Sequence, residues 1–323
     1  MPRVAVVGSY GVGLTMRVPR MPVAGETLSG GEFSSGHGGK GSNQAVQAAR
    51  LGAQVDFFTA IGADDLGRGG QVLWAEEGIN ASVVVPEDAA TMAGVILVEE
   101  SGENRIVIAP GALARLRPED LDDFESTLAA ADIVVVSLEI PVEVAVRALE
   151  LAHAAGTRTL LNPAPAAPMP DSVWPAVGVL TPNATEAAVL LGLDPDAGAH
   201  SAESLALRLH ERTGATIMMT RGGHGVLVCL DGEITHVPPV EAAAVVDTTG
   251  AGDSFTGAAA VALAEGADPM TAAQFGARAG AWTVAHSEVI PALPRRSDLD
   301  SSSISSSPTT STDPESSTSG DPT

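Results

Sequence analysis

The chain has one cysteine, one tyrosine and one lysine, and aromatic residues make up only 3% of it. A single thiol, Cys229, excludes an intramolecular disulfide and any zinc site built on several cysteines. No apolar run reaches the roughly 18 residues that suggest a membrane-spanning helix. Val4–Val7 is apolar almost from the start, with no basic segment ahead of an apolar helix, so no secretory leader is read. Positive charge is scarce too: 17 basic residues against 40 acidic ones give a net charge of −23. A phosphate backbone needs a basic face, which excludes nucleic-acid binding. The expectation is a cytoplasmic enzyme with a solvated acidic surface, free of membrane and nucleic acid.

Hydrophobic residues are plentiful at 45%, and 323 residues suffice for one large α/β domain or two smaller ones. Short apolar runs (Val4–Val7, Val55–Ala60, Ile133–Val136, Thr159–Leu161, Val177–Leu180, Thr216–Thr220, Val226–Leu230) alternate with helical patterns. The helices are expected at Gln44–Leu51, Leu66–Glu77, Val142–Ala154, Ala184–Leu191 and Ser204–Arg212, with Gly52, Gly78 and Gly156 as stop signals. Such alternation predicts an α/β fold, a doubly wound, mostly parallel sheet covered by helices on both faces. Two stretches break it: Thr27–Ser35 and Met92–Ile108 read as short strands around glycine-rich turns, the second with a tip at Ser101–Asn104. Together they predict a small β-lid over about 14–36 and 91–110. Residues 1–296 form the expected domain. From Ser297 the composition turns to Ser, Thr, Pro, Asp and Gly, so 297–323 is expected to be a disordered tail.

The strongest segment is Asp247-Thr-Thr-Gly-Ala-Gly-Asp-Ser-Phe255, followed by an alanine-rich helical stretch, Thr256–Glu265. Gly250 and Gly252 allow a tight turn and a close ligand. The helix start offers unpaired N–H groups and a positive dipole end, a seat for phosphate oxygens. Asp253 stands at that entrance. Alone, an Asp there reads as a helix cap; the full run points to chemistry. Sixteen of the 17 basic residues are arginine, and the one lysine, Lys40, falls within Gly38-Gly-Lys-Gly-Ser-Asn43. That segment is no P-loop, because Gly41 stands where a magnesium-binding Ser or Thr belongs. Gly8-Ser-Tyr-Gly-Val-Gly13 likewise misses the dinucleotide spacing. Thr181-Pro-Asn-Ala-Thr-Glu186 follows an apolar run and presents Asn183 and Glu186 at a strand's carboxyl end, as Ser137-Leu-Glu139 does for Glu139. Thr220-Arg-Gly-Gly-His-Gly225 joins two strands by a loop open to a flat nucleotide.

Taken together, these motifs resemble the ribokinase (PfkB-type) carbohydrate kinase family, from about Arg3 to Pro294. Asn162-Pro-Ala-Pro165 takes its expected place between the others. The resemblance implies a ribokinase-like α/β core whose lid pairs across a homodimer. It implies ATP-dependent phosphorylation of a primary hydroxyl on a sugar or sugar-like alcohol, with Asp253 as the base. The N–H groups of Gly250, Ala251 and Gly252 would form the anion hole. Gly11, Gly13, Gly39, Lys40, Gly41, Asn43 and Glu139 would face the acceptor together with Asp253. Asn183, Thr220, Gly222, Gly223, Gly225, Gly252 and Ala277 would line the ATP site. Asn183 and Glu186 would serve Mg2+ through water, and Asp247 with Thr249 is the candidate seat of a K+ ion.

Two departures stand out. Ribokinases carry an Asn-x-Asp pair after the first strand, and Gly11 and Gly13 occupy those positions here. Losing two buried polar partners would weaken ribose binding by ~1–3 kcal/mol each. The acceptor is therefore expected to differ from plain ribose, or the pocket to have room for a larger group. The loop completing the cation site reads His286-Ser-Glu-Val-Ile-Pro291, with Glu288 at a usual glycine. A nucleoside kinase is the alternative reading, and a ligand-binding protein that has lost catalysis is a third.

Overall fold

The computed structural model describes residues 1–101, 103–195 and 200–301. The chain opens with β1 (Arg3–Val7), β2 (Gly11–Val18), β3 (Glu32–Gly38), α1 (Lys40–Arg50), β4 (Gln54–Ala60), α2 (Asp65–Glu76) and β5 (Asn80–Val84). Then come β6 (Met92–Glu99), β7 (Asn104–Ala109), α3 (Glu125–Ala130), β8 (Ile133–Ser137), α4 (Val142–Ala154), β9 (Arg158–Asn162) and β10 (Val179–Leu180). The last part contributes α5 (Ala184–Leu190), α6 (Ala202–Thr213), β11 (Thr216–Thr220), β12 (Val226–Leu230), β13 (Glu233–Val237), α7 (Ala251–Ala264), α8 (Pro269–Thr283) and α9 (Arg296–Ser301).

Nine strands form the main sheet in the order β13-β12-β11-β10-β9-β8-β1-β4-β5, and β12 alone runs against its neighbours. β8 is buried along its whole length, as a central parallel strand with helices on both faces must be. On one face α4 lays down Val144, Ala145, Ala148, Leu149, Leu151 and Ala152, a helical stripe seated in one apolar core. On the other face α1, α7 and α8 enclose a second core with Phe57, Trp74 and Phe255. This is the doubly wound architecture that the alternation predicts.

The lid is a separate four-stranded sheet in the order β3-β2-β6-β7. Its bounds differ from those read in the sequence. Residues 27–31 are not strand, and β2 enters the lid at Gly11, because glycines in that strand pair with β3 and β6 despite having no side chains to pack. Gly102, in the expected hairpin tip, lies outside the described residues. β10 is shorter than the apolar run Val177–Leu180, since Val177 serves instead to close a 3-10 turn. The folded part also runs past residue 296: α9 turns Leu299 into the second core, where it is 1% exposed. One leucine with a groove to fill overrides the polar composition around it. The rest of the expected tail, 302–323, lies outside the described residues.

Candidate active site

The carboxyl ends of β1, β8, β9, β10 and β11 all open on one edge, and the sequence motifs gather there. Asp253 is the third residue of α7, a helix that begins at Ala251, five residues before the expected Thr256. Gly250 precedes it at φ 81°, a left-handed conformation that a glycine adopts without strain. No side chain caps α7, so Asp253 is not the cap that a lone Gly-x-Gly-Asp would suggest. Its carboxylate, 6% exposed, turns instead onto the first turn of α1. Asn43 Nδ2 donates to Oδ2 at 2.8 Å, and Gln44 Nε2 donates to Oδ1 at 3.1 Å.

Charges crowd this carboxylate. Burial pushes the Asp253 carboxyl up; the Lys40 ammonium and the amides of Asn43 and Gln44 pull against that, Glu139 adds to it, and the balance is raised. Burial pulls the Lys40 ammonium down, but Asp253, Glu139 and Glu186 outweigh it and leave the lysine above its usual range. Glu186 is raised as well, chiefly by burial. Lys40 is thus a half-buried cation whose charge is shared among three carboxylates. Glu139 is fixed from two sides: Ser9 Oγ donates to its Oε2 at 2.6 Å and the Lys40 backbone N–H at 2.9 Å.

The loop leading into α5 is tied by its own hydrogen bonds. Asn183 Oδ1 accepts from the Glu186 N–H and Glu186 Oε2 accepts from the Asn183 N–H, both at 2.8 Å, a reciprocal cap. The Thr220 N–H donates to the Pro182 carbonyl at 2.9 Å, joining this loop to the end of β11. Beyond Thr220 the next loop is closed by the Arg221 N–H on the Gly225 carbonyl, with Gly222 and Gly223 exposed at its tip. Ala277 lies on α8, which packs against β11 and β12. Asp247 sits at the start of the loop before α7, where its Oδ1 accepts from the Thr249 N–H at 2.9 Å.

Gly11 and Gly13, which imply either a different acceptor or room for a larger group, have different surroundings. A Cβ on Gly11 would collide with Met92 Cε, so that space is already filled by a thioether. At Gly13 the nearest heavy atom would be Ile96 Cδ1 at 3.5 Å. Gly13 pairs in register with Gly36 on β3 and Gly94 on β6, so three strands cross side by side without a side chain.

Residues 1–296 match the pfkB family carbohydrate kinase model. The chain belongs to the pfkB family of carbohydrate kinases. As a pfkB kinase it is similar to the ribokinase of Haemophilus influenzae, at 35% identity over 91% of this chain and 95% of that one. It is also similar to the deoxyribokinase of Salmonella typhi, at 37% identity over 79% and 83% of the two chains. The solved ribokinase of Arabidopsis thaliana, complexed with ribose and ATP, superposes with a TM-score of 0.86 at 28% identity, covering 93% of this chain and 98% of that one.

Five residues of this cluster received no role from the sequence: Ser9, Gln44, Asn162, Thr181 and Thr256. The signal for Gln44 was faint. Gly41–Ala48 is buried throughout, polar Ser42, Asn43 and Gln44 included, but sequence periodicity does not reveal a helix enclosed on all sides.

Proposed function

We propose that this chain transfers the γ-phosphoryl group of ATP to a primary hydroxyl of a sugar, pentoses being the first class to test, with Asp253 as general base. The observation that carries the proposal is the arrangement at Asp253: a buried carboxylate in the first turn of α7, each oxygen held by one amide, beside the chain's one lysine. An ionised carboxylate has about four lone-pair sites, so each oxygen keeps one to accept a proton. As Asp253 takes the hydroxyl proton, the hydroxyl oxygen bonds to the γ-phosphorus and the bond to the ADP oxygen breaks. The first N–H groups of a helix lack partners inside it, and the Ala251 N–H makes only a long 3.4 Å contact to the Thr248 carbonyl. With those of Gly250 and Gly252 it would take up charge on the transferring phosphoryl.

The donor set suits magnesium. Mg2+ keeps several waters and binds through one or two carboxylates plus phosphate oxygens. Glu186 has one oxygen in the α5 cap, and its charge is felt by Lys40 and Asp253. Bound with the nucleotide, the ion would supply charge neutralisation between the β- and γ-phosphates. Asp247 and Thr249, whose backbone N–H donates to Asp247 Oδ1 at 2.9 Å, are the proposed seat of a monovalent cation. The single thiol, buried and free, is consistent with a reducing cytoplasm.

The bare row Gly13–Gly36–Gly94 favours a second reading, a nucleoside acceptor whose base lies along the lid. One assay separates the two: ATP consumption over pentoses, deoxy sugars, hexoses and nucleosides, with and without Mg2+ and K+. Turnover on a pentose is expected, and Asp253→Asn should lower kcat about 10²-fold or more. Turnover on nucleosides alone would overturn the first reading. Equal rates for Asp253→Asn would remove Asp253 from the chemistry.

A further inference from the structure

Gln44 belongs to none of the functional assignments above, yet it makes one of the two contacts that hold Asp253. Its side chain is fully buried. The single amide nitrogen donates in two directions, to Asp253 Oδ1 at 3.1 Å and to Asn162 Oδ1 at 3.0 Å. Asn162 Nδ2 donates onward to the Thr181 carbonyl at 3.0 Å, and the Thr181 hydroxyl lies 3.1 Å from that of Thr256 in α7. A closed chain of contacts therefore runs from the base through α1 to the ends of β9 and β10 and back to the helix that carries the base.

The other end of the same amide is bare: Gln44 Oε1 is buried and has no hydrogen-bond partner among the described residues. Turning the amide over would set that oxygen against two acceptor oxygens, so the donors fix its orientation. A side chain serving only to fill space here would be better apolar, because an unsatisfied buried acceptor destabilises a fold. From this geometry, and resting on the reading of Asp253 as the base, we propose that Gln44 is a positioning residue. It ties Oδ1 of Asp253 to the end of β9, holding the carboxylate in one orientation and in its ionised form. The other charged groups that act on Asp253 are Lys40 at the start of α1, Glu139 after β8 and Glu186 in α5. Substitution of Gln44 leaves all three in place.

The test compares Gln44→Met, Gln44→Glu and Asp253→Asn by kcat, KM for ATP, the pH profile of kcat and thermal melting. A hydrogen bond to a charged acceptor is worth about 10–100-fold, so Gln44→Met should lose that much kcat. Its KM for ATP should stay unchanged and its acid limb should move to higher pH. Gln44→Glu sets a second carboxyl against Asp253 and should move the limb further in the same direction. If Gln44→Met does not fold, the profile of Gln44→Glu decides the matter. The proposal is overturned if Gln44→Met keeps its kcat and acid limb while Asp253→Asn is inactive. It is also overturned if Gln44→Met lowers melting temperature and kcat together with the limb in place, which is the mark of a packing role. Should Asp253→Asn retain full kcat, the base assignment itself fails and takes this inference with it.

Discussion

Asp253 faces opposing requirements. A general base works best with a pKa near the operating pH, and burial drives a carboxyl in that direction. Too much burial would leave it protonated and unable to accept the hydroxyl proton. Lys40 supplies the opposing pull, and the three carboxylates around it keep the lysine charged. Removing that cation in Lys40→Met leaves burial and Glu139 opposed only by the amides of Asn43 and Gln44. The Asp253 carboxyl then rises further, and protonated Asp253 is the inactive form. The acid limb of kcat/KM for the acceptor should therefore move to higher pH, with activity recovered on the alkaline side. An acid limb that stays in place or moves down would mean that Lys40 does not hold the base ionised.

Among the elements, the contact between α1 and α7 carries the site, because Asn43 and Gln44 ride on one helix and Asp253 on the other. The two backbones approach closely at Gly257. A Cβ there would lie 2.8 Å from Gln47 Cβ and 2.9 Å from the Gln44 carbonyl oxygen. Gly257→Ala should push α1 away, costing about 1–3 kcal/mol in stability as an overpacked core does. The kcat should drop with it, since the amides that hold Asp253 move with α1. A melting curve and rate equal to those of the parent would show that the helices separate freely. Sequence alone located most elements but not this contact. Val142–Ala154, Thr216–Thr220 and Val226–Leu230 were legible to the residue, because apolar stripes and runs mark buried elements. The unread strands β5 and β13 are the two edges of the sheet: β13 carries Glu233, Thr235 and His236 in place of a buried run, and β5 has no fully buried residue. The start of α7 was read too late because Gly-Ala-Gly-Asp is a poor helix former, glycine costing about 1 kcal/mol, and packing on α1 and α8 settles its conformation. Asp253, Lys40 and Asn43 could be found from motif order, whereas Gln44, Asn162 and Thr181 meet only through the fold.

At the scale of the whole molecule, the lid stands out, for it has too many apolar groups in water. On one face Phe33, Val95 and Val107 are 63%, 45% and 72% exposed; on the other, beside the glycine row, Ile106 and Ile108 are 54% and 56% exposed. A four-stranded sheet covered at its root and bare at its tip exposes the kind of contiguous apolar surface that marks an interaction site. A second copy of the chain, lid against lid, is the partner proposed for it. The net charge of −23 opposes that association at low salt, since two such chains repel until their fields are screened. Sedimentation should therefore give twice the 32.5 kDa chain mass, with the dimer tightening as salt is raised. Val107→Glu and Ile106→Glu place a charge on either face at positions already in water, so each monomer should fold normally. At least one of the two should sediment as a monomer with its melting temperature intact, and which one does so identifies the buried face. A parent chain that sediments as a monomer, or two variants that both remain dimeric, would rule out the lid as the interface.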